Sequence, residues 1–252
     1  MKEFFQHDNY INPNIRFIRN EYIVEYDMKE AGFSIIKEFN LLPISDIQRL
    51  QLMDNKKRHI EIGKMERQDK TISTNKLFHL REIRKQFIFD NDISEHEVIS
   101  IKKDALLVRK YCDKCSYGDN IYFRNKNTYT SYMRLTDVKP AIELYYGSNK
   151  LDVKGISDDK LIYHQHGMLA FFNGLFKFLE ESNDNKLYKY YNTFIDNYKN
   201  LQLNIDAYRQ FDSISMLNKG DGLFELNSPT IDDVDISYNL MKILIPIAKY
   251  II

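Results

Sequence analysis

Two short runs of β-forming residues each lead into an aspartate, and this feature most narrows what the chain can build. Residues 21–26, EYIVEY, alternate and are rich in β-formers, and Asp27 follows them directly, ahead of a helical pattern. Residues 98–111, VISIKKDALLVRKY, read as two strands around a tight turn at Lys102–Lys103–Asp104. Both aspartates have apolar flanks: Ile23 and Val24 before one, Leu106 to Val108 after the other. A carboxylate at the end of a buried strand is costly unless it is solvated, paired or bound to metal. Two of them on neighbouring strands make a hard-oxygen site for Mg²⁺ or Mn²⁺. Two divalent ions so held activate an attacking hydroxyl and neutralise a pyrophosphate leaving group. The same residues also admit a structural reading, with Asp27 as a helix N-cap and Asp104 as a turn residue.

Around these segments the pattern is mixed, and it predicts an α+β protein. Residues 29–41 carry Ala31, Ile35, Ile36 and Phe39 at helical spacing, and Pro43 stops that helix. Ser45 with Gln48 reads as a capping box opening the next helix. Residues 74–90 form an amphipathic helix, and short strands are expected near 121–124, 128–135, 141–146 and 150–153. Beyond residue 158 the period becomes helical. HGMLAFFNGLFKFLEE and LYKYYNTFIDNYKNL predict two helices joined by a polar SNDN turn. The aromatics of the second could stack on bases, although at helical spacing such residues more often pack between helices. The apolar stretch 238–252 is too short for a membrane span and carries Lys242 and Lys249, so it reads as a docked helix.

Charge divides function classes. The 252 residues hold 36 Lys and Arg against 36 Asp and Glu, which excludes a uniformly basic nucleic-acid coat. The balance is uneven along the chain. Residues 56–139 contain 19 Lys and Arg against 12 Asp and Glu, so the middle third could face an anion. The N-terminus has no signal-peptide pattern, and two cysteines, Cys112 and Cys115, point to a reducing compartment and a cytoplasmic protein. With His164 and His166 they could complete a tetrahedral zinc site, but the step between the pairs matches no recognised finger spacing, and free thiols are the other reading. No phosphate loop, GxGxxG or GxSxG pattern is present.

The segment YDMKEAGFSIIKEFNLL, Tyr26 to Leu42, resembles the first palm motif of family B DNA polymerases, DxxSLYPSII, with Asp27 on the motif aspartate. SIKKDALLV resembles the second, YGDTDSxxV, with Asp104 on its second aspartate. NKNTYTSYMRL is similar to the KKRY strand that follows the palm hairpin. KLDVKGISDD, Lys150 to Asp159, is similar to the KG-type turn before the thumb.

This resemblance implies a polymerase-like palm over residues 1–158, with a short helical fingers insert at about 44–92, and a helical thumb-like region over 159–252. It implies template-dependent nucleotidyl transfer with Asp27 and Asp104 as catalytic carboxylates holding Mg²⁺ or Mn²⁺. Arg58, Lys64, Arg67 and Lys70, at near-helical spacing in place of the family's KxxxNSxYG helix, would hold the triphosphate. Lys126, Tyr129 and Lys154 would face the primer-template backbone. Two departures matter. Lys102 replaces the first aspartate of DTD, and Gly32 falls where the family's tyrosine rejects a ribose 2′-hydroxyl, so ribonucleotides should be tolerated. The short stretch before Asp27 leaves no room for the family's exonuclease, so a bare palm, fingers and thumb, or one subunit of a larger replication assembly, is expected. The rival expectation, favoured by Lys102, is a non-catalytic polymerase-fold protein that binds primer-template or a replication partner.

Overall fold

The computed structural model describes residues 4–135, 141–200, 202–208 and the strand pair 218–219 and 222–223. The expected helix at 238–252 lies outside the described residues. The fold is α+β with antiparallel strand pairing, and the chain divides into two units. One comprises Met1–Asn14 and Tyr22–Thr128, the other Ile15–Glu21 and Tyr129–Ile252.

The elements run β1 (Asn9–Ile11), β2 (Phe17–Ile18), β3 (Ile23–Met28), α1 (Ala31–Glu38), α2 (Ile44–Gln51), α3 (Asn55–Gln68), α4 (Lys70–Asp90), β4 (Val98–Lys102), β5 (Ala105–Val108), β6 (Ser116–Tyr117) and β7 (Ile121–Tyr129). Then follow β8 (Ser131–Arg134), β9 (Glu143–Gly147), β10 (Lys150–Lys154), α5 (Asp158–Leu161), α6 (Met168–Glu180), α7 (Asp184–Lys199), β11 (Asn218–Lys219) and β12 (Gly222–Leu223).

The first unit is built on a six-stranded sheet of order β1-β4-β5-β3-β7-β6. Period-two alternation sorts its strands into two faces. Val24, Tyr26 and Met28 of β3, Leu106 and Val108 of β5, and Ile121 and Phe123 of β7 join one core with Leu80, Ile83, Phe87 and Ile88 of α4. Phe87, wholly buried, lies 5.3 Å from the Tyr26 ring and 4.4 Å from Phe123. Truncating so enclosed an aromatic costs about 3–5 kcal/mol. Glu25 and Asp27 therefore project from the other face.

Helix α1 serves two clusters. Ala31 and Ile35 face the sheet core, while Phe33 and Ile36 pack with Ile47, Leu50 and Ile62 of α2 and α3. The stretch 44–90 is helical, as α2 to α4, and the later part of α4 is core of the sheet. Asp54 caps α3, accepting from the Lys57 N–H at 2.9 Å. Asp69 ends α3 and caps α4 through the Thr71 N–H at 2.8 Å, which starts α4 at Lys70, ahead of the expected 74. The Ser45–Gln48 capping box does not form. Helix α2 starts at Ile44 behind Pro43, so Ser45 already lies inside it.

The second unit holds a four-stranded sheet of order β10-β9-β8-β2. Met133, Leu144 and Tyr146 pack against Phe171, Phe172, Leu175 and Phe176 of α6, which in turn packs on Leu187, Tyr191, Phe194 and Tyr198 of α7. The tyrosine-rich α7 is therefore a packing helix, with Phe194 stacked 4.0 Å from Phe171. β8 and β9 bury one face on α6, and the chain divides between Thr128 and Tyr129. After β10, Gly155 turns the chain with φ +99°, and a Cβ there would meet the Ala141 carbonyl oxygen at 2.2 Å, so only glycine fits.

Candidate metal and nucleotide site

The register of the first sheet brings the two aspartates together. Lys102 pairs with Ala105 across the β4–β5 hairpin, and Ala105 pairs with Asp27 of β3. Asp104, one residue before Ala105, sits at the same end of the sheet, and its carbonyl accepts the Met28 N–H at 3.2 Å. Asp27 lies within β3, and α1 is N-capped by Glu30 in a left-handed conformation, φ 48°. Asp27 is therefore not a helix cap. Asp104 does occupy a two-residue turn, preceded by Lys103 at φ 54°. Two-residue hairpin turns need a positive φ at the first central position, which Lys103 supplies.

Electrostatics ties the pair. Burial first, and then repulsion from Asp27, holds the Asp104 carboxyl above the usual carboxylate range, against the pull of Lys126 and Lys103. Arg124 of β7 clamps Asp27, donating from Nε at 3.1 Å and Nη2 at 2.8 Å to the single oxygen Oδ2. Lys126 Nζ stands 4.0 Å from the other oxygen, Oδ1, and 3.6 Å from Glu25 Oε1. Asn127 donates to Glu25 Oε2 at 2.8 Å.

The turn carrying Asp104 is fixed from behind. Arg84 of α4, wholly buried, donates to the carbonyls of Lys103 at 2.6 Å, His7 at 2.8 Å and Phe5 at 2.6 and 3.2 Å. Burial lowers its pKa to about 10, which leaves it charged at neutral pH. The Lys103 N–H donates to the Asp8 carbonyl at 2.6 Å, and Arg81 grips the Asp8 carboxylate at 2.8 and 3.0 Å.

Two adjacent carboxylates are a donor set that suits Mg²⁺, which is commonly held by one or two carboxylates together with substrate phosphates. Among the described residues no group of three or more His, Cys, Asp or Glu side chains could hold a metal ion, so the zinc set of Cys112, Cys115, His164 and His166 is not assembled. Cys112 is buried, its N–H donating to the Tyr26 hydroxyl at 2.7 Å and its thiol pushed up to about 12 by burial. The Cys115 thiol reaches the Cys112 carbonyl at 3.4 Å.

The other expected residues fare differently. Arg58 is committed to the fold. It pairs with Glu30, donates to the Leu50 carbonyl at 2.9 Å and the Met53 carbonyl at 2.8 Å, and lies 4.5 Å over the Phe33 ring. Lys64 pairs with Glu61 at 3.1 Å, and Arg67 and Lys70 are exposed. None of these four forms an ion pair with Asp27 or Asp104. At Gly32 an added Cβ would meet nothing nearer than Lys76 Cδ at 3.9 Å, so the position is open. In the second unit Tyr129 donates to Asp152 Oδ2 at 2.6 Å, and Lys154 reaches the same oxygen at 3.1 Å. Those two face a carboxylate where a phosphate was expected.

Arg124 and Arg84 were not among the expected residues. The signal for Arg124 was present, because Arg124-x-Lys126 on a strand puts two cations on one face, as Glu25-x-Asp27 puts two acids. Arg84 carried no signal, since a basic residue in an amphipathic helix reads as solvated.

The geometry defines a class: an α+β protein with one acid on a strand and a second in the neighbouring hairpin turn, at one end of the same sheet, met by cations from a further strand. The chain matches the family described as Bacteriophage PBS1 gene 130 protein over residues 1–251, and it belongs to that family. No curated protein matches it.

Proposed function

We propose that the chain carries out template-dependent nucleotidyl transfer with divalent metal ions, as a minimal polymerase or primase-like enzyme. One observation carries this reading: the Asp27–Ala105 register, which sets Asp104 beside Asp27 at one end of the sheet. The resemblance to the family B palm motifs, in the family's order, supports it. In this reading Asp27 and Asp104 hold Mg²⁺ or Mn²⁺. A divalent ion held there would supply charge neutralisation at the transferring phosphoryl group and acidify the attacking hydroxyl. The chain's own part is to fix the carboxylates. The Arg84 clamp holds the Asp104 turn, and the β3–β5 ladder sets its distance from Asp27. Lys126 and the exposed cations of α3 and α4, Lys64, Arg67 and Lys70, meet phosphates, and Gly32 leaves the sugar site open. Nucleic acid and nucleoside triphosphates are the partners, and no helix among the described residues is long and apolar enough to cross a membrane.

The test is primer extension with Mg²⁺ or Mn²⁺. Asp27→Asn and Asp104→Asn should each lower the rate by more than about 10³-fold. Primer-template binding should weaken steeply with salt, because phosphate contacts release counterions. The second reading, a non-catalytic polymerase-fold protein, is favoured by Arg124 already neutralising Asp27 and by Lys102 in place of an acid. It predicts salt-dependent binding with no extension under any metal. Absence of both binding and extension removes both readings.

A further inference from the structure

We infer that Arg124 makes the carboxylate pair favour a divalent ion that arrives as its nucleoside triphosphate complex over the bare ion. This rests on the nucleotidyl-transfer reading and names how its metal is loaded. The local cations outnumber the acids. Three acids, Glu25, Asp27 and Asp104, are met by Arg124, Lys126 and Lys103, and the charge of the buried Arg84 also reaches Asp104. A bare dication entering there gains carboxylate bonds but meets two cations within about 4 Å of the oxygens it needs, a repulsion that partial burial strengthens. A metal–triphosphate complex carries net negative charge, and the same cations attract it.

The geometry suits an exchange of partners. Both Arg124 donors close on Oδ2, while Lys126 stands 4.0 Å from Oδ1, so among the described residues that oxygen has only this longer ion pair and no hydrogen bond. The Asp27 side chain is 13% exposed and that of Arg124 50%, so the acid is held and the cation is at the rim. An ion pair with one half-exposed partner is weak, and a guanidinium leaves it at small cost. Its fork fits phosphate oxygens as well as carboxylate oxygens. Asp27 and Asp104 would hold the metal, and Arg124 would pass from Asp27 to the phosphates bound with it. Mg²⁺ commonly completes its shell with substrate phosphates, which fits a protein donor set of two.

The experiment is an electron paramagnetic resonance titration of the full chain with Mn²⁺ alone and with Mn²⁺ plus a nonhydrolysable nucleoside triphosphate. Wild type, Arg124→Ala, Arg124→Lys and Asp27→Asn are compared. Arg124→Ala should bind bare Mn²⁺ about five- to tenfold more tightly and the Mn²⁺–triphosphate complex about tenfold more weakly. Arg124→Lys keeps the charge and should stay near wild type for bare Mn²⁺ while losing part of the triphosphate affinity. A residue that merely braces the sheet would move both affinities the same way, and that outcome, or no change in either, overturns the inference. Asp27→Asn separates it from the parent reading. If Asp27→Asn abolishes Mn²⁺ binding while Arg124→Ala moves both affinities alike, the metal site stands and the role of Arg124 falls. If Mn²⁺ binds nowhere, or binds regardless of Asp27, both fall.

Discussion

The two sheets solve the same packing problem and end with opposite chemistry on their polar faces. Each buries one face on helices, α4 in the first unit and α6 in the second. Each leaves acids and bases on the remaining face by strand alternation. In the second unit these groups satisfy one another. Tyr132 and Tyr145 both donate to the buried Glu143, at 3.3 and 2.9 Å, and Tyr129 and Lys154 converge on Asp152. In the first unit Asp27 and Glu25 also find partners, in Arg124, Lys126 and Asn127, but Asp104 is held above its ordinary pKa by burial and by the charge of Asp27. Hydrogen-bonded acids stabilise a fold, whereas acids crowded together cost stability and persist where a site needs them.

The sharpest way to break this comparison is to make one substitution in both sheets. Asp27→Asn should abolish primer extension while leaving the melting temperature nearly unchanged or raised. Asp152→Asn should leave the extension rate of the folded protein unchanged and lower stability by about 1.5–3 kcal/mol, the worth of one charge-assisted hydrogen bond. Extension rates and thermal melts on the same preparations decide it. If Asp152→Asn inactivates without destabilising, the second sheet is part of the site and the two sheets do not differ in role.

How much of this was readable beforehand follows from what each residue asks of its neighbours. The strands and the hairpin of Asp27 and Asp104 were readable because alternation and turn chemistry are local. The placement of α6 and α7 was readable from their helical period. The assignment of cations was not. Arg58, Lys154 and Tyr129 have the residue types a phosphate site uses, but Glu30 and Asp152, distant in sequence, claim them first. Residue type gives the affinity of a side chain for anions, and only the fold decides which anion is nearest. Arg84 shows the converse, a buried cation whose partners are backbone carbonyls of no particular sequence.

A smaller effect sharpens the comparison through pH. Asp104 has its folded pKa raised, so the folded state binds more protons between the ordinary value of 3.8 and the raised one. Stability contributed there falls as pH rises through that window. For Asp152 burial alone would raise the pKa, but the Tyr129 hydroxyl and Lys154 outweigh it and hold the carboxyl below 3.8. Its contribution is present above 3.8 and is lost as pH falls through the lower value. Asp104→Asn should therefore melt above wild type at pH 7, with the gain fading towards pH 4. Asp152→Asn should melt below wild type at pH 7, with the loss fading only below pH 4. Parallel shifts of the two variants would refute the contrast.

The smallest expected effect concerns the sugar. Gly32 lies one residue into α1, and a Cβ built there meets only the Lys76 side chain, at 3.9 Å. A gate that rejects a 2′-hydroxyl needs filled volume, and none is present at this position. Phe33, the neighbouring aromatic, is 7% exposed and lies beneath the Arg58 guanidinium, so it packs inward. Wild type should therefore incorporate ribonucleotides nearly as well as deoxyribonucleotides, and Gly32→Tyr should impose a preference of about tenfold for the deoxy form. Replacing glycine in a helix carries no backbone penalty, so the variant should fold. Competition between the two nucleotide classes in primer extension measures the ratio. Strong deoxyribonucleotide selectivity already in wild type would mean that some other side chain fills the gate. An unchanged ratio in Gly32→Tyr would mean that α1 does not face the sugar, and the correspondence between this helix and the first palm motif would be lost.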